Sequence, residues 1–159
     1  MGVTLLAANR LGEWELPLFV HVLGAMVLVG ALVLAVVYLV PAWRGGSLEG
    51  ATSGFRVLLY AALPSFIVMR VAAEWVADKE GYSDLPDDAI PDWIGIGYII
   101  SDASGLFLII SLVIGGFALR RARRDGGMGS ASTRLATVLV SIMLVAYLVA
   151  IWAMTTKPG

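Results

Sequence analysis

Apolar residues along this chain fall into four long blocks, Pro17–Val40, Val57–Ala77, Trp93–Leu119 and Leu135–Met154, and the stretches between them hold most of the charge. Each block reaches the ~20 residues that a helix rising 1.5 Å per residue needs to cross a hydrocarbon core of about 30 Å. The expected fold class is therefore all-α: a polytopic membrane protein with one domain over 1–159, a four-transmembrane-helix bundle. Pro17 suits the first turn of a helix, where a missing N–H costs nothing, and Pro41 follows the end of the same span. Pro64 lies inside the second span and is expected to kink it. The third block is longer than a perpendicular crossing requires, so it should tilt or extend past the interface.

Composition agrees with lipid as the solvent. Hydrophobic residues make up 59% of the 159 residues against 14% charged, with a mean hydropathy of +0.87, outside the balance of a soluble domain. Four spans and short connections use up the length, leaving no separate soluble catalytic domain among these residues. The segment Met1–Leu16 has no basic start and only a short apolar run, Val3–Ala8, so it reads as mature protein rather than a signal peptide.

The charges are segregated. Arg44, Arg56, Arg120, Arg121, Arg123, Arg124 and Arg134 fall in the first and third connections, whereas the ends and the second connection hold only Arg10, Lys79 and Lys157. The positive-inside rule then puts the first and third connections in the cytoplasm. The second connection, with Asp78, Glu80, Asp84, Asp87, Asp88 and Asp92, projects outward with both termini, as in a bacterial-type plasma (inner) membrane. Trp14, Trp75, Trp93 and Trp152 mark the outer boundary and Trp43 the inner one, as an interfacial belt would. The Arg120–Arg124 run reads as an anchor against anionic headgroups, not as a nucleic-acid surface. The acidic connection reads as solvated surface, or more sharply as a docking site or cation-concentrating mouth, without the spacing of a calcium loop.

Ionisable groups at membrane depth are costly, and they tend to face the protein interior and pair. Here they are His21, Arg70, Glu74 and Asp102. Counting from the outer boundary puts Arg70 about 12 Å deep and Asp102 about 14 Å, with Tyr147 close to that level. His21 and Glu74 fall near 6 Å, a second and shallower level. A polar cavity opening outward is expected, with one cation for two carboxylates. On the third span Gly97, Ser101 and Gly105 form a ridge of small residues that favours close helix approach, within the chain before dimerisation; Ala31 and Ala35 repeat the pattern weakly on the first span.

Several chemistries drop out. Without cysteine there are no disulfides, thiolate nucleophiles or iron–sulfur clusters. His21 stands alone, so bis-histidine haem is not expected from one copy, and six scattered methionines make no copper site with it. No Gly-rich phosphate loop, nucleophile elbow or zinc-protease pair occurs, and no residue stands out as the nucleophile of an enzyme acting on lipid, so a non-enzymatic role is favoured over that alternative. The opening His21-Val-Leu-Gly24 resembles the start of a family of small bacterial four-helix membrane proteins classed as a domain of unknown function. It is more distantly similar to the copper-resistance D type and to membrane-bound haem-synthesis oxidases. The resemblance implies the four-helix architecture, while the haem- and copper-linked families use further histidines that this chain lacks.

The function expected is ion, proton or small-solute transport or permeation through the polar cluster. The alternative is a non-transporting accessory or assembly subunit in which the cluster is structural. Expected partners are membrane lipids and either a homo-oligomer or a larger membrane complex. For topology, a cysteine introduced near Gly126 is expected to resist impermeant thiol reagents in intact cells, while tags at either end react. Labelling near Gly126 from outside contradicts the orientation.

Overall fold

In the computed structural model, which describes residues 15–86, 90–125 and 130–156, four helices follow one another with short connections and no strand among the described residues. They are α1 (Glu15–Gly45), α2 (Leu48–Glu80), α3 (Asp92–Asp125) and α4 (Ser130–Thr156). Each is long and apolar enough to cross a membrane, and the chain is a multi-pass, all-α four-helix bundle. Readings that fall on Met1–Trp14, Asp87, Asp88, Gly126 and Lys157 lie outside the described residues.

Two helix ends differ from expectation. Pro41 does not stop α1, which continues to Gly45. The proline deprives one carbonyl of its i+4 donor, but a single lost bond near a helix end is tolerated when the residues beyond it pack, and Ala42 is buried. The stop comes instead at Gly46, whose φ of +69° lies in the left-handed region. Ser47 then caps α2, its hydroxyl accepting from the Gly50 N–H at 3.1 Å. The first connection thus shrinks to Gly46–Ser47, and α2 begins nine residues before the predicted Val57. Its first ten residues, Leu48–Val57, bury only Ala51, Gly54 and Phe55, which is why they read as polar connection.

The disturbance expected at Pro64 takes the form of a π-helical turn over Leu58–Ala62, in which the Leu63 N–H reaches back to the Leu58 carbonyl. Proline cannot donate to the carbonyl four residues earlier and its ring crowds that carbonyl, and a widened turn accommodates both effects. The helix resumes through Glu80 and ends on Gly81, at φ +79°.

Sequential helices are neighbours. The central helix is α1, packed along α2 on one side and α4 on the other, and α3 packs along α4. Small residues let α1 and α2 approach closely: a Cβ on Gly24 would sit 3.1 Å from the Met69 backbone, and one on Gly54 2.7 Å from Leu39. The axis is filled by Leu28, Leu32, Leu39, Leu58, Leu108, Val140 and Met143, all with no exposure. The outward faces carry Phe19, Met26, Tyr60, Val71, Ile99 and Phe117, as a lipid solvent permits.

Contact between α2 and α3 is concentrated towards the arginine-rich end and thins towards the acidic end. The Phe55 ring fills the space where a Gly115 Cβ would stand, only 2.0 Å from it, and Phe66 does the same at Gly105 at 2.8 Å. Gly115→Ala is therefore expected to destabilise the bundle by about 1–3 kcal/mol by overpacking. Gly116→Ala, facing open space, should be near neutral. Unfolding midpoints in mixed micelles titrated with SDS check the contrast.

Candidate functional site

Arg70 and Glu74 lie one turn apart on the same face of α2. Arg70 Nη1 donates to Glu74 Oε1, and Nη2 reaches across to Asp102 Oδ1 of α3 at 3.3 Å. Tyr98, four residues before Asp102 and so on the same face of α3, completes the set. Its hydroxyl donates to Glu74 Oε2 at 3.3 Å, and its ring lies 4.9 Å from Arg70 Cζ. The guanidinium is thus held by two carboxylates and an aromatic face, a combination that suits its planar fork.

The cluster lies on the perimeter of the bundle, not in its interior. The side chains of Asp102 and Glu74 are 66% and 53% exposed, and that of Arg70 is 27% exposed. Inward-facing charges around an outward-opening cavity were expected from the cost of charge in lipid. The inner positions at this level are occupied by Met69, Ala72, Ser101, Ser104 and Tyr147, all buried. Where α2 and α3 part, the charges close the seam between them from outside.

The remaining candidates divide between two other places. His21 Nδ1 donates to the Met69 carbonyl at 3.1 Å, so it binds the α2 backbone beside Arg70 and forms no shallower level with Glu74. That turn of α2 is held from the α1 side by His21 and from the α3 side through Arg70. Tyr147 is buried, its hydroxyl facing Ser104 and Ser101. Neither the Tyr147 nor the Ser101 oxygen makes a hydrogen bond of good geometry. Three hydroxyls thus gather behind Asp102, with no charge among them.

The ridge of small residues is used inside the chain. Gly97 faces the end of Met154 on α4, Gly105 faces Phe66 on α2, and Ser101 is buried between them. Sequence reading overlooked Tyr98 and Ser104. Tyr98 was within reach of it, since four-residue spacing from Asp102 puts both on one face. Among the described residues no three of His, Asp and Glu converge as metal ligands would, because Arg70 stands between the two carboxylates.

Comparison of the chain with protein-family models, with characterised proteins and with solved structures finds no match to any of them. The arrangement itself defines what is available: two carboxyl groups to one guanidinium on an exposed face of the bundle.

Arg70→Ala leaves two carboxylates without a cation and should destabilise the protein by about 1–2 kcal/mol, below the 3–5 typical of a fully buried pair. Adding Asp102→Asn should recover part of that loss. Tyr98→Phe should cost about 0.6 kcal/mol, the usual worth of an interhelical hydrogen bond in a membrane. Additive Arg70 and Asp102 effects in the double-mutant cycle count against coupling.

Proposed function

We propose that this chain is a non-enzymatic subunit of a larger assembly in the membrane, and that a transmembrane helix of a different protein covers its α2–α3 seam. One observation carries the reading: Asp102 is two-thirds exposed about 15 Å along α3 from its acidic end. A carboxylate facing lipid at such depth costs roughly 2.5–3.5 kcal/mol on an insertion scale, which favours burial against protein. The excess negative charge selects a partner helix that offers a basic side chain or hydrogen-bond donors. A second copy is disfavoured, because it would set one net negative seam against another.

The seven arginines at one end support an orientation with that end in the cytoplasm and both termini opposite, in a bacterial-type plasma membrane. A second reading rests on the charge count. One guanidinium for two carboxylates leaves a site that a proton or small cation neutralises, so transport or permeation would run along the seam. The filled axis favours no route through the middle of one copy.

A photo-crosslinking residue at Ile99 or Leu106, both exposed beside Asp102, tests the subunit reading in native membranes. The expected result is an adduct with one other membrane protein that disappears when Glu74→Gln and Asp102→Asn are combined. Adducts with lipid alone, or with a second copy, contradict it. Proton or cation flux from the purified chain in liposomes, abolished by Asp102→Asn, would favour the transport reading instead.

A further inference from the structure

We propose that the groove between α1 and α4 at the arginine-rich end binds a single anionic phospholipid. The groove is open along its length, offers about 530 Å³ and has two chemically distinct parts. Its rim is cationic. Arg44, exposed in the last turn of α1, stands on it, and Arg134, exposed near the start of α4, holds its guanidinium carbon 5.4 Å from the Trp43 ring. Trp43 lines the groove, so the Arg134 guanidinium over its ring stands beside the same rim, and its N–H groups suit a phosphate. Neither arginine has an acidic partner among the described residues.

Below the rim the groove is apolar. Val40, Ile142 and Val145 line it, over about 12 Å of α4 between Thr137 and Val145. The two hydroxyls on this wall are already committed: Thr137 donates to the Thr133 carbonyl and Ser141 to the Thr137 carbonyl. Donors are thus confined to the rim and the interior offers only contact surface, the same division as between a lipid headgroup and its acyl chain. A soluble anion would leave the apolar part unfilled.

Charge selects among lipids. This end of the chain has seven arginines against Glu49 and Asp125, so its field favours a net negative headgroup over a zwitterion. The site is remote from the α2–α3 seam and stands whether or not a partner helix covers that seam.

The test uses the full chain in liposomes with Trp14, Trp75, Trp93 and Trp152 replaced by Phe, leaving Trp43 as the sole indole. Phosphatidylglycerol brominated on its acyl chains is expected to quench Trp43 at about tenfold lower mole fraction than brominated phosphatidylcholine. Arg44→Gln with Arg134→Gln should lower the ratio several-fold, the five other arginines of this end retaining a residual preference, while Arg44→Lys with Arg134→Lys keeps most of it. Val145→Phe, which fills the groove and leaves both arginines in place, should weaken quenching by the anionic lipid several-fold. Equal quenching by the two lipids overturns the proposal. So does a preference that neither the Gln pair nor Val145→Phe diminishes, or one that millimolar inorganic phosphate abolishes.

Discussion

A carboxylate held in hydrocarbon needs a partner, and in this bundle that requirement falls on one guanidinium. Arg70 joins α2 to α3 at the level where their backbones have separated, taking Glu74 from its own helix and Asp102 from the other. Elsewhere, apart from the His21 hydrogen bond to the Met69 carbonyl, the helices are joined mainly by packing. Gly24 against Met69 and Gly54 against Leu39 bring α1 onto α2, and the rings of Phe55 and Phe66 fit over Gly115 and Gly105. Small residues do most of this because lipid supplies no hydrophobic force between helices, so close approach of backbones is the main source of attraction. The acidic end of the α2–α3 seam has less of it, and an ion pair with a tyrosine takes its place.

The two ends of the molecule differ in what they leave unsatisfied. At the acidic end, membrane depth and carboxylate excess coincide on an exposed seam. At the other, Arg44 on the rim of a groove that is apolar inside, and Arg134 beside it, have no acidic partner among the described residues. The first imbalance calls for a donor or a cation and the second for an anion with an apolar tail. On the two proposals, both would be met by surroundings rather than by the chain.

The four spans were legible in the sequence because the bilayer fixes a length that apolar blocks must meet. The ends of α1 and α2 were not. Pro41 and the polar residues before Val57 look like breakers, yet Gly46 and Ser47 alone make the connection, one by its left-handed φ and the other by its capping hydroxyl. The meeting of Arg70 with Asp102 followed from counting depth along each helix, and that with Glu74 from their four-residue spacing on one helix. Its direction did not, because facing inward or outward depends on where the neighbouring helix stands, and periodicity on one helix carries no such information. His21 shows the same limit: depth placed it near the charges, while the structure turns its ring to the Met69 carbonyl.

The charged seam lies on the perimeter of the isolated chain. A chain without cysteine can be labelled at any single position, and Ala103, exposed beside Asp102, is the informative one. A nitroxide on Ala103→Cys in purified protein in bilayers is predicted to be readily relaxed by oxygen from the lipid, in contrast to one on Leu108→Cys, a fully buried position. A label at 103 as inaccessible as that at 108, to both oxygen and a water-soluble relaxant, would put the cluster inside the bundle and contradict the account.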